Sequence, residues 1–158
     1  MSNLAANIGD IAGAVGKGLF AGLVGTVAMT VGQTIEMKLT GREASATPAE
    51  GVEKALPIKA PEEKEEKLKL AQLSHFAYGT CWGVPLALLH KTGLPVPAAT
   101  LGQFGAVWGT AMIMLPKMNL APPVREWDAK TLLTDGLHHA IYAAAAGATY
   151  YAISRDDR

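Results

Sequence analysis

"DGLHHAIYAAAAGATYY", residues 135–151, sets an aspartate and two adjacent histidines at the head of a run that is otherwise small, aliphatic or aromatic. A helix made from it is apolar or small on every side, with its titratable groups confined to the first turns. Such a helix has no polar face to offer water, which points to a hydrocarbon environment. Three further stretches share the property: 18–35, 71–89 and 92–115, like 136–154, contain no Asp, Glu, Lys or Arg. A bilayer core about 30 Å thick needs roughly 20 apolar residues rising about 1.5 Å each, and each stretch reaches about 27 Å or more as a helix.

The 158 residues therefore read as an all-α chain, an integral membrane bundle of four transmembrane helices with a short helical cytoplasmic loop. The expected boundaries within this single membrane domain are an interfacial helix at 1–16, spans at 17–37, 71–90, 97–116 and 131–154, and a charged helical loop at 38–70. The first segment lacks the basic start of a signal peptide, and its Leu4, Ile8, Ile11 and Val15 share one helical face suited to the membrane surface. Lys and Arg set the orientation. Lys38, Arg42, Lys54, Lys59, Lys64, Lys67, Lys69, Lys117, Arg125 and Lys130 lie on one side, against Lys17, Lys91, Arg155 and Arg158 on the other. Cytoplasmic loops carry the excess, so both termini are expected outside the membrane.

The charged loop carries its own helix signals. Thr47 and Glu50 have capping-box spacing, and Pro48 suits the first helical turn. A surface helix should end near Leu56, before Pro57, and a second should start at Pro61, with Glu63 and Glu65 four residues ahead of Lys67 and Lys69. Pro85 should kink the second span, Pro116 should end the third, and Asp128 can cap the fourth.

Glycine marks where the spans touch. Gly18 and Gly22, Gly79 and Gly83, and Gly105 and Gly109 form GxxxG pairs, and Ala143 with Gly147 is a small-xxx-small version. Such faces let backbones approach closely in a membrane, within one bundle, in a homo-oligomer or in a larger membrane complex. "YGTCWG" at 78–83 echoes "FGAVWG" at 104–109, a pattern open to an inverted repeat or to recurring aromatic-glycine contacts.

Because successive spans alternate in direction, the end of span one, the start of span two and the start of span four meet the same membrane face. There lie Gln33, Glu36, His75, Asp135, His138 and His139, within roughly 3 to 14 Å of the flanking lysines in helix rise. Ionisable groups in a span face the bundle interior and pair with one another. Asp135 reaches His138 at i+3 and His139 at i+4, and adjacent residues diverge on a helix, so one histidine faces inward; His138, on the Asp135–Tyr142 stripe, is the expected one.

Three readings of this layer stand side by side. It can be a structural hydrogen-bonding layer. It can bind haem b or a transition metal, with His75, His138 and His139 as imidazole ligands of a cofactor and Glu36, His75, Asp135 and His138 as the metal set. It can carry protons or ions through Glu36, His75 and Asp135. Other chemistry lacks its residues. Cys81 is the single cysteine, which excludes an internal disulfide and a cysteine zinc cage, and no phosphate-binding glycine loop, HExxH or nucleophile elbow is present. The 14 basic and 14 acidic residues are interspersed, leaving no footprint for nucleic acid.

"GLFAGLVGTVAMT", "EMKLTGRE", "HFAYGTCWG" and "DGLHHAIYA" together resemble small four-span bacterial membrane proteins of the YagU-like group. That resemblance implies a bacterial inner-membrane location and a link to acid tolerance, and it supplies no reaction. The chain is thus expected to be a non-enzymatic accessory or scaffold subunit whose partners are the bilayer and other membrane helices.

Overall fold

The computed structural model describes the backbone of residues 2–155 and the side chains of residues 7–155. The side chain of Leu4, assigned above to the interfacial face, and Arg158, counted among the outward charges, lie outside the described residues. Among the described residues the protein is all-helical, without a strand: α1 Ser2–Thr40, α2 Thr47–Ala55, α3 Lys64–Cys81, α4 Gly83–Lys91, α5 Val96–Lys117 and α6 Ala129–Ser154, with a single 3₁₀ turn at Val124–Glu126.

The segments expected at 1–16 and 17–37 form one uninterrupted helix of 39 residues, about 58 Å long at 1.5 Å per residue. No proline and no capping residue separates them, and Ala, Leu and Met carry the helix through. It stops at Gly41, whose φ of 74° places it in the left-handed region, where its N–H donates to the Met37 carbonyl at 2.9 Å.

The loop that follows is tied down by charge. The capping box expected at Thr47 and Glu50 is not formed: Thr47 is already helical, its N–H donates to Ser45 Oγ, and Glu50 instead pairs with Lys67 of α3 at 2.8 Å. That contact also replaces the expected Glu63–Lys67 pair. The expected Glu65–Lys69 pair is present at 2.8 Å, with Glu66 equally close, and the two carboxylates raise the Lys69 ammonium above its ordinary value. The helix beginning at Lys64 rather than Pro61 leaves Glu63 as its first flanking residue. Lys54 of α2 donates to the Met118 and Asn119 carbonyls, neutralising the exposed end of α5.

α3 and α4 make one bent rod. The break falls at Trp82, ahead of Pro85, which has no N–H to return to the Cys81 carbonyl. Gln103, fully buried on α5, donates Nε2 to the Trp82 carbonyl at 2.9 Å, so the interrupted backbone is served by a neighbouring helix. At the head of α6, Asp128 accepts from the Thr131 N–H at 2.7 Å, and hydrogen bonding from Thr131 holds its carboxyl below the ordinary aspartate range.

The four rods α1, α3–α4, α5 and α6 close into a ring, each packed against two neighbours. Glycine sets the spacing at the α1/α3–α4 seam. A Cβ placed on Gly83 would lie 2.7 Å from the Gly22 nitrogen and 2.8 Å from the Gly18 carbonyl carbon, and one on Gly22 would lie 2.8 Å from the Gly83 nitrogen. Gly79 is closed off by the Thr26 side chain. Gly25 faces the backbone and ring of Tyr142 across the α1/α6 seam, while Gly136 and Gly147 of α6 accept Trp108 and Thr100 of α5. These pairings run in opposite senses along the chain, so neighbouring rods are antiparallel.

The core is mainly apolar, with a few polar side chains buried in it and many large apolar ones facing outward. Thr26, Gln103, Tyr142 and Tyr150 are among the largest fully buried side chains, whereas Phe20, Val27, Val31 and Ile35 of α1 are about half exposed or more and Leu101 of α5 is 72% exposed. Two helices, Asn7–Thr40 and Val96–Lys117, are long and apolar enough to cross a membrane.

Because backbone rather than a yielding side chain meets Gly83, Gly83→Ala should open the α1/α4 seam and destabilise the protein by about 1–3 kcal/mol, the usual range for overpacking. Equilibrium unfolding in detergent reads this directly; an unchanged midpoint would mean that the seam is loose.

Candidate functional site

The polar residues of α1, α3 and α6 meet at one end of the ring because the rods are antiparallel. Gly32 of α1 sits beside Ile141 and His138 of α6, which brings the C-terminal turns of α1 level with the first turns of α6. His138 is 5% exposed and faces the interior. His139 departs to the side, where its Nδ1 lies 2.9 Å from the Asp135 carbonyl and 3.6 Å from Asp135 Oδ2.

Asp135 has a partner that sequence spacing on one helix does not reveal: Trp108 of α5 donates Nε1 to its Oδ2 at 2.9 Å. The close seam at Gly136, against which the Trp108 ring lies, is what allows the indole to reach the carboxylate. Asp135 is thus engaged by Trp108 and His139, while the charge of His138's surroundings comes also from Glu36 and Arg42.

Glu36 is held by the loop rather than by a histidine. Arg42 donates Nη2 and Nε to its Oε2 at 2.6 and 3.0 Å, and Thr40 donates to its Oε1 at 3.0 Å. The turn at Gly41 folds Arg42 back onto the last turn of α1 and makes this pair possible.

His75 stands on α3 at the wall of a cavity of about 170 Å³, bounded by the end of α1, the segment from Arg42 to Pro48, and α3. His138 and His139 are not among its walls. The His75 Nε2 is shut off from solvent and has no hydrogen-bond partner, a state shared with the Gln103 Oε1 at the centre of the bundle. Buried polar atoms are nearly always paired, so both positions stand out.

Glu36, His75, Asp135 and His138 therefore share one end of the fold without converging on a point. Among the described residues no three His, Cys, Asp or Glu side chains are grouped as a metal site would need. The carboxylates are committed to Arg42 on one side and to Trp108 and His139 on the other. The cavity that His75 lines is walled by neither His138 nor His139.

The glycines divide into two sets. Gly18, Gly22, Gly79 and Gly83 are consumed in the α1/α3–α4 seam, whereas a Cβ on Gly105 or Gly109 would meet nothing within 4 Å. Sequence spacing marks both sets alike and does not separate them. It also passed over Trp108, Gln103 and Arg42. For Gln103 a signal exists: a lone amide deep in a charge-free span, opposite the span that Pro85 interrupts. The Tyr142 hydroxyl plays a similar part, donating to the Gly79 carbonyl at 2.7 Å across the bundle. No protein-family model, curated protein or solved structure matches the chain.

Proposed function

We propose that this chain is an integral membrane protein of four spans, formed by α1, the α3–α4 rod, α5 and α6, and that it acts as a non-enzymatic scaffold joined to other membrane helices through α5. Support for the membrane comes from the large apolar side chains on the outside of the ring. Phe20, Leu23, Val27, Val31 and Ile35 make one outward stripe on α1, continued around the ring by Leu73, Leu88, Leu101, Ile113 and Leu137. Soluble monomers rarely expose contiguous apolar patches beyond a few hundred Å². The α3–α4 rod from Ala71 to Lys91 measures about 31 Å and α6 about 39 Å, each enough for a bilayer core of about 30 Å.

The functional reading rests on the open glycine pair of α5. Leu101, Gly105, Gly109 and Ile113 recur every four residues; Leu101 and Ile113 are exposed, and the glycines between them have no neighbour within reach. A shallow groove flanked by branched side chains lets a second helix come to backbone contact, the geometry by which membrane helices associate without a hydrophobic driving force. The polar layer at the other seams then serves as interhelical hydrogen bonding that fixes the bundle's register. In this reading the loop carrying α2 faces the cytoplasm of a bacterial inner membrane and both termini lie outside, following the distribution of Lys and Arg.

Gly105→Leu fills that groove, and the Cβ it adds meets no atom of the chain within 4 Å. In lipid nanodiscs it should leave the melting temperature unchanged while abolishing self-association or the copurification of a membrane partner seen with the native chain. Native protein that is monomeric and partner-free, or a Gly105→Leu variant with intact association, would remove α5 as the docking face. Orientation is read separately: with Cys81 replaced by Ala, a single cysteine at Thr92 should react with a membrane-impermeant maleimide in intact cells, and one at Ser45 should not. The opposite labelling would invert the topology.

A further inference from the structure

The cavity beside His75 is not used by the packing described so far, and its walls have a definite chemistry. From α1 come Gln33 and the hydroxyls of Thr30 and Thr34, which donate to the Thr26 and Thr30 carbonyls one turn back and so present lone pairs to a ligand. From α3 come the amide of Gln72 and the imidazole of His75, whose Nε2 is buried and unpartnered. Amide and imidazole groups each donate and accept, depending for the imidazole on its tautomer.

Charge is cancelled at this place. The cation on the cavity wall, Arg42, already has two N–H groups on Glu36 Oε2 and a third on the Glu43 carbonyl. An anion would have to compete with that carboxylate. A metal ion would find His75 alone, since the walls carry no carboxylate and no thiolate. Of the remaining walls, Met37, Ala44, Pro48, Leu68 and Ala71 are apolar, and Ser45 donates its hydroxyl to Thr47. Paired donors and acceptors on two sides with C–H surface on the others match a molecule that bears neighbouring hydroxyls on a short carbon chain. Size agrees: about 170 Å³ holds roughly five waters at about 30 Å³ each, the scale of a small polyol.

We infer that this cavity is a binding site for an uncharged polyol of three or four carbons, held between Gln33 of α1 and Gln72 and His75 of α3 under the cover of the segment from Arg42 to Pro48. The Lys64–Glu43 ion pair fastens the cover to α3, and Lys67–Glu50 ties α2 to the same helix. The site lies wholly within one chain, and its occupation is independent of whether α5 docks a partner.

The test uses the full chain in phosphatidylcholine nanodiscs, free of sugar detergents, with erythritol as the probe. Saturation transferred from protein to erythritol is followed by NMR, with glycerol as competitor. The native chain should transfer saturation, and glycerol should reduce it. Gln72→Leu should weaken binding about tenfold, the effect of losing one ligand hydrogen bond of ordinary strength. Ala71→Leu, which fills the cavity from α3, should abolish transfer while the helical circular dichroism stays intact. Absence of transfer in the native chain overturns the proposal, as does transfer that persists in both variants. Stabilisation by inorganic phosphate or by zinc alone, with erythritol inert, overturns the ligand class and with it the proposal. The native-chain result decides even if one variant fails to fold.

Discussion

The close approach of α1 to the α3–α4 rod is the constraint on which the rest depends. At Gly18, Gly22 and Gly83 two helices meet backbone to backbone, and at Gly79 the Thr26 side chain fills the space between them. Only at that spacing can the Tyr142 hydroxyl on α6 reach across to the Gly79 carbonyl and Thr26 fill the notch at Gly79. The bend at Trp82 belongs to the same contact, because Gly83 is both the first residue of α4 and the closest neighbour of α1. The rod is interrupted at Trp82, and Gln103 donates to the Trp82 carbonyl from α5. Three helices are thereby coordinated around one interruption.

The interior that results is built mainly from alanine and other apolar residues, with Thr26, Gln103, His138 and Ser154 buried among them, while many large apolar side chains face outward. Interhelical hydrogen bonds in such a setting are individually modest, averaging about 0.6 kcal/mol in a well-studied membrane bundle. The Tyr142, Gln103 and Trp108 bonds therefore select register more than they supply stability. Tight van der Waals packing at the glycine seams carries the larger share, which is why replacement of one hydrogen atom at Gly83 matters more than its size implies. At the charged end the Glu36–Arg42 and Glu50–Lys67 pairs hold the loop over the bundle, beside the polar cavity that His75 lines.

The helices were legible in the sequence because charge-free stretches and capping residues act locally: Asp128 caps α6 where its spacing placed it, and Pro85 follows the break in the second rod. Glycine spacing marked Gly18, Gly22, Gly79 and Gly83 as close-contact positions without saying which helices they join. The candidate site was less legible, because its partners come from different helices. Depth along the chain brought Glu36, His75, Asp135 and His138 to one end of the bundle, and depth says nothing of azimuth. Arg42 takes Glu36 because a left-handed glycine turns the chain back, and Trp108 takes Asp135 because Gly136 admits its ring. Neither turn geometry nor an inter-helix notch leaves a mark in residue spacing, and the capping box at Thr47 failed on the same ground, its Glu50 drawn to a lysine on another helix.

The central claim is that hydrocarbon surrounds the outward faces of all four rods. Spin labels placed singly at Val31, Leu73, Ile113 and Leu137 in lipid vesicles, with accessibility to dissolved oxygen compared with that to a water-soluble nickel chelate, test it most directly. The account predicts high oxygen and low nickel accessibility at all four positions. High nickel accessibility at Leu73 and Leu137, with only Val31 and Ile113 shielded, would contradict it and leave two membrane-crossing helices carrying a water-exposed remainder.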